Sequence, residues 1–157
     1  MVDSFQIIPH SRPSIGTAEK SAVLNVIESG FVNTGKWTES FEQAFAQMQM
    51  AQKAFAVNSG TLALELVLRA QGVKSGGTVL FPAYVCASIP QAIINVGAQP
   101  VAVDIEPSTL GFSLASCQRI YGNLQKQGRT IDVIILAHPF GIALDVDGFL
   151  RMGIPII

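Results

Sequence analysis

The sequence predicts an α/β fold, a mostly parallel sheet flanked by helices. From residue 53 onward, short apolar runs alternate with segments of helical periodicity, the order that crossover connections between parallel strands produce. The runs are almost unbroken by polar residues, as in strands covered on both faces. The first of them feeds a glycine-containing turn, Asn58-Ser59-Gly60-Thr61, at the start of a leucine-rich helix.

Each element has a local reason. After a proline-containing start, Thr17 is the expected cap of a helix whose Ala22, Val23, Val26 and Ile27 follow the i, i+3, i+4 pattern, with Gly30 as its stop. A turn around Asn33-Thr34-Gly35 leads to a second helix, with Thr38 as expected cap and Phe41, Phe45 and Met48 in one stripe that reads as packing surface. These two form an N-terminal helical segment, residues 1–52. In residues 53–157, strands are expected at 53–57, 78–82, 99–104, 131–137 and 154–157. Helices are expected at 60–71, 87–95, 113–127 with Ser113 as cap, and 145–152. The last residues, Gly153-Ile154-Pro155-Ile156-Ile157, read as a buried strand with no turn after it, as in a piece of something larger.

Composition narrows the function classes. Hydrophobic residues make up 49% and charged residues 13% of the chain, with mean hydropathy +0.42, which is apolar for a free-standing domain and implies a surface that meets a partner. The net charge of −1 comes from scattered residues, so there is no electrostatic footprint for nucleic acid or an anionic membrane. Cys86 and Cys117 are too few and too far apart for a disulfide framework or a zinc site, so no metal is expected and a cytoplasmic location fits. Met1 to Phe5 does not open a signal peptide, and no apolar run reaches the roughly 18 residues of a membrane span.

A turn feeding a helix start presents unpaired N–H groups and the positive end of the helix dipole, which suits a phosphate. The hydroxyls of Ser59 and Thr61 add donors, although a Ser/Gly/Thr turn is also ordinary capping chemistry. Neither G-x-G-x-x-G nor the P-loop pattern is present, which favours a single phosphate monoester over a nucleotide. Tyr84 and Cys86 follow the strand at 78–82 and project to one side if the segment is extended. Tyr84 is either a cover for a flat ligand or half-buried filler; Cys86 is either a nucleophile or a small core residue. His138, past the strand at 131–137, suits acid/base or substrate-binding work, or a hydrogen bond to its own loop. Asp104, Asp145 and Asp147 read as caps or solvated loop residues rather than as groups that carry chemistry.

The order of these signals resembles the DegT/StrS-type aminotransferases. The matching pieces are Ile8-Pro9 with Pro13 and Gly16; Thr34-Gly35 before Phe41-Glu42-Gln43-Ala44-Phe45; Ala56-Val57-Asn58-Ser59-Gly60-Thr61-Leu62-Ala63-Leu64; Phe81-Pro82-Ala83-Tyr84; Val96 to Ile105; His138 with Gly141; and Gly153 to Ile157. The resemblance implies part of the large domain of a fold type I pyridoxal phosphate (PLP) transferase, with residues 53–157 as an incomplete cofactor-binding domain. It implies amination of keto groups on nucleotide-linked sugars with a small-molecule amino donor, in a homodimer. Relatives that form hydroxybenzoates leave the substrate open.

The resemblance places the cofactor phosphate on Ser59, Gly60 and Thr61, the ring beside Tyr84 and Cys86, and substrate contacts on Thr34, Gly35 and His138. The family's ring-stacking aromatic falls by spacing on Cys86, which is a departure. The family's acidic partner of the pyridine nitrogen follows the segment matching Ile154 to Ile157, and its Schiff-base lysine comes much later. Lys20, Lys36, Lys53, Lys74 and Lys126 match neither. No catalytic residue is therefore assigned, and only the phosphate end of the cofactor is expected to be held here. The expectation is a chain inactive alone, with a split enzyme completed by a C-terminal chain and a non-catalytic dimerisation module as alternatives.

Overall fold

The computed structural model describes residues 9–157; Ile8, which opens the resemblance, and the segment Met1 to Phe5 lie outside them. The chain divides into two compact units, Met1–Ala56 and Val57–Ile157.

The first unit carries α1 (Thr17–Glu28) and α2 (Lys36–Met48). Both start ahead of the expected caps. Gly16 is the N-cap of α1, and its N–H donates to Glu19 Oε2 at 2.7 Å, so the carboxylate at the third helical position reaches back to the cap and Thr17 becomes the first residue of the helix. These backbone hydrogen bonds hold the Glu19 carboxyl below its ordinary pKa. Gly35 is the N-cap of α2, and Thr38 lies inside the helix. The stripe read as packing surface is open: Phe41, Phe45 and Met48 are exposed, as are Val23, Leu24 and Ile27 on α1.

The expected strand at 53–57 does not form. A strand needs a neighbour to complete its hydrogen bonds, and among the described residues no strand pairs with this one. The Ala56 N–H donates instead to Glu42 Oε1 at 2.7 Å, and Phe55 is 78% exposed.

The second unit contains α3 (Gly60–Ala70), β1 (Thr78–Pro82), α4 (Ser88–Asn95), β2 (Gln99–Val103), α5 (Leu114–Lys126), β3 (Val133–Ile134) and α6 (Asp147–Leu150). The strands are parallel in the order β2-β1-β3, with Leu80 opposite Val101 on one side and Ile134 on the other. The expected strand at 131–137 narrows to two residues by ladder criteria, although Asp132 and Ile135 N–H groups still donate to Thr78 and Leu80 carbonyls. The expected strand at 154–157 is a single parallel bridge, Ile134 to Ile156, flanked by bonds from Ile134 to Pro155 and from Leu136 to Ile157. The helix at 145–152 shortens to Asp147–Leu150, whereas Ser113 caps α5 as expected, accepting from the Ser116 N–H.

Successive residues of β1 face opposite layers. Val79 and Phe81 pack with Leu68 of α3 and Ala92 and Ile93 of α4, while Leu80 packs with Cys117 and Leu124 of α5 and Phe149 of α6. Phe112 and Phe149 meet edge to face, their ring centroids 5.3 Å apart.

Phe149→Ala is expected to lower the unfolding free energy by about 3–5 kcal/mol, as for a large side chain removed from a closed core. Phe41→Ala on the exposed stripe should shift it by no more than about 0.5 kcal/mol. Urea denaturation of the two variants checks this contrast.

Candidate functional site

Chain direction decides where the helix starts lie. Because β1 and β2 are parallel, α4 runs back against β1 between them, and its end meets the turn that precedes β1 through the Gly76 N–H to the Gly97 carbonyl at 2.8 Å. The end of α3 enters β1 through the same turn, and Asn95 at the end of α4 bonds Glu65 and Arg69 of α3. Both helices therefore begin at the carboxyl edge of the sheet, on the layer that Val79 and Phe81 face.

At the start of α3, Ser59 is extended (φ −159°, ψ 155°), and its Oγ accepts from the Leu62 N–H at 3.2 Å while its carbonyl accepts from Ala63. Among the described residues, the Gly60 and Thr61 N–H groups and the Thr61 hydroxyl have no partner. The Ser59 O–H, an acceptor in the cap, retains its own proton to donate. Gly60 is exposed and no atom stands within 4 Å of where its Cβ would be. Two amides and two hydroxyls thus stand together at the positive end of an 11-residue helix, an arrangement whose chemistry suits an anion.

A second feature lies at the same edge. The connection through α4 leaves β1 over one layer, and the connection through α5 crosses to β3 over the other. The crevice between the carboxyl ends of β1 and β3 is thus a topological switch point, the usual ligand position in open α/β sheets. An open cleft of about 480 Å³ lies there, lined by Tyr84, Val85, Cys86 and Ile89 after β1 and by Ala137, His138, Pro139 and Phe140 after β3. Tyr84, Cys86 and His138 are brought together in it.

His138 makes the bond to its own loop: Nδ1 accepts from the Leu144 N–H at 3.1 Å, so the neutral ring carries its proton on Nε2. Cys86 is exposed, in contrast to a core residue, and its Sγ lies 2.7 Å from Ser88 Oγ. The Ser88 hydroxyl stabilises the thiolate and brings the thiol below its ordinary pKa. Cys117, on the buried side of α5, is pushed up to about 11 by burial. Phe140 in the cleft lining and Ser88 beside Cys86 went unnoticed in the sequence; the Cys-x-Ser spacing pointed to Ser88, and nothing local to Phe140.

Thr34 and Gly35 belong to the first unit. The Thr34 N–H donates to Asn33 Oδ1 at 2.8 Å, and Gly35 lines a cleft of about 360 Å³ with Phe31, Asn33, Lys36 and Trp37. A Cβ on Gly35 would meet the Phe31 ring at 3.0 Å, a tight contact that the exposed ring must yield to by a few tenths of an ångström.

The model of the DegT/DnrJ/EryC1/StrS aminotransferase family matches residues 13–153. The chain belongs to this family. A Streptococcus pneumoniae protein described as a sugar aminotransferase, in its PLP form, superposes with TM-score 0.78 at 34% identity, covering 92% of this chain and 35% of that one. 3-Amino-5-hydroxybenzoic acid synthase gives 0.78 at 30% identity, covering 93% and 38%. A DegT/DnrJ/EryC1/StrS aminotransferase from Brucella abortus gives 0.80 at 25% identity, covering 87% and 38%. The chain thus spans a little over a third of the length of these relatives. They share its fold type, a parallel sheet with flanking helices, and the family indicates dependence on PLP.

The two thiols should separate in alkylation. Cys86 is expected to react with iodoacetamide in the folded chain and Cys117 only after unfolding. Ser88→Ala should raise the Cys86 pKa and so slow its labelling at pH values below that pKa, as peptide mass spectrometry over a pH series would show.

Proposed function

We propose that this family member provides the phosphate cup and one wall of the ring cleft of a PLP-dependent aminotransferase acting on keto groups of nucleotide-linked sugars. The observation that carries this reading is the pair of unpartnered amides at Gly60 and Thr61, flanked by the Ser59 and Thr61 hydroxyls. These groups fit the cofactor's phosphate because they supply donors without a competing carboxylate, at the helix end that favours a dianion. When bound, PLP supplies an electron sink for charge developing on the substrate carbon. Tyr84, Cys86 and Phe140 line the space for its ring, and His138, with Nε2–H available to donate, is the substrate-side group of this cleft. Thr34 and Gly35 are proposed as further substrate contacts.

We further propose that these 157 residues do not transaminate by themselves. None of the cleft-lining residues is a lysine or a carboxylate, so the cleft offers neither a Schiff-base amine nor a partner for a pyridinium. Lys74 and Lys126 precede β1 and β3, at the opposite edge of the sheet, while Lys20, Lys36 and Lys53 belong to the first unit. A second subunit or a complementing C-terminal chain would supply the amine and cover the open apolar stripes of α1 and α2. The two unpaired cysteines, Cys86 and Cys117, are what supports a cytoplasmic location in this proposal.

Thr61→Val and Ser59→Gly are each expected to weaken binding of PLP about tenfold, the loss of one hydrogen bond to a charged group. Glycine keeps most of the N-cap propensity. Absorbance titration followed by borohydride reduction and intact mass checks both proposals. Unchanged affinity in both variants would remove the phosphate cup, and a stoichiometric reduced lysine adduct would contradict the claim of incompetence.

A further inference from the structure

The segment between β3 and α6 is fastened at two points and open between them. His138, just after β3, accepts on Nδ1 from the Leu144 N–H at 3.1 Å. Leu144 in turn packs on the core layer of Phe112 and Phe149, and its Cδ2 fills the space where a side chain at Gly111 would lie. Residues 139–143 form a strap between these two anchors. They bury no side chain, and Phe140 and Ile142 are exposed. Two turn bonds hold the strap's own backbone, from the Gly141 N–H to the His138 carbonyl and from the Ile142 N–H to the Pro139 carbonyl. Phe140 has a left-handed backbone (φ 56°, ψ 20°), a conformation that a bulky L-residue adopts only where its surroundings impose it. The bond that closes the strap around it is the one between His138 and Leu144.

That bond depends on a proton. Histidine is the side chain whose charge ordinarily changes between about pH 8 and about pH 5. The neutral ring can accept on Nδ1 while carrying its proton on Nε2, but in the imidazolium both nitrogens donate. Protonated His138 would set an N–H against the Leu144 N–H, and the closing bond would be lost. The ring is exposed, so solvent protons reach it without a change of fold. Among the described residues the one ion pair joins Arg119 and Asp104, so no carboxylate pairs with the charged ring. The titratable groups across the cleft are Tyr84 and Cys86, and on the far side of Leu144 the Asp145 carboxylate accepts from the Asp147 N–H.

We infer that residues 138–144 are a proton-operated latch: neutral His138 holds the strap closed on Leu144, and proton uptake at Nδ1 releases residues 139–143. The latched form binds one proton fewer than the released form, so acid favours release and alkali favours closure. Because Pro139 and Phe140 belong to the wall of the cleft after β3, release loosens that wall. The latch needs no ligand and goes beyond the proposed function.

A pH series of ¹⁵N–¹H correlation spectra with ¹⁵N heteronuclear NOEs tests this on the chain alone. Between about pH 8 and about pH 5 the Leu144 amide proton is expected to move upfield on the same curve as the His138 ring protons. The heteronuclear NOEs of residues 140–143 should fall at the acid end. His138→Asn, whose carboxamide oxygen accepts but does not titrate, should keep the same NOEs at both ends. A His138 ring that titrates while the Leu144 amide stays in place would overturn the inference. So would an acid transition of the strap that persists in His138→Asn, since Cys86 or Asp145 would then be the group responsible.

Discussion

Parallel pairing of β1 with a strand on each side is the constraint on which the rest of the second unit depends. A parallel neighbour can be reached only by a connection that runs back along the sheet, so the helix between β1 and β2 must start where β1 ends. Because the chain then crosses β1 on the opposite layer to reach β3, the carboxyl ends of β1 and β3 are left with a crevice between them that no crossover fills. The free donors at Ser59 to Thr61 and the cleft beside Tyr84 and His138 lie at the same edge for this reason. The core serves the arrangement: Val79, Leu80, Val133 and Ile134 are fully buried, which fixes the register of the central pair and hence the positions of the loops beyond it.

Within that frame the two features differ in chemistry, and under the proposed function they would divide the work of holding a phosphorylated ring. Backbone amides and hydroxyls at α3 offer fixed dipoles to a dianion and need little reorganisation to do so. The cleft between β1 and β3 offers apolar faces and few charges, which suits a flat ring. The first unit is of a different kind. α1 buries no residue and α2 buries only Ala46, so these helices have apolar faces without a partner among the described residues. The high apolar content of the sequence is thus explained partly by the sheet and partly by surface left uncovered.

Much of this was legible in the sequence, and the failures have a common cause. β1 was readable because both faces of its backbone are covered, which writes an apolar run into residues 79–82; β2 carries a similar run at 100–103 although only Val103 is fully buried and Gln99 and Ala102 are exposed. Ser113 and Ser59 were readable as caps because an N-cap side chain acts on amides two or three residues away. The run at 53–57 has the same composition as the true strands, but a strand exists only beside another, and composition carries no record of the neighbour. Thr17 and Thr38 were plausible caps displaced by glycine, in the first case because Glu19 reaches back to the Gly16 amide. Phe140 was invisible as a site residue because its left-handed backbone is set by a loop that closes through His138 and Leu144, a contact between residues six apart.

The central claim is that the start of α3 is a phosphate site. The most direct test is a ¹⁵N–¹H correlation spectrum of the chain titrated with PLP. The account predicts saturable shifts that are largest at the Gly60 and Thr61 amides, the two donors without a partner. A saturable titration that leaves those two amides unmoved while shifting others would place the phosphate elsewhere and contradict it.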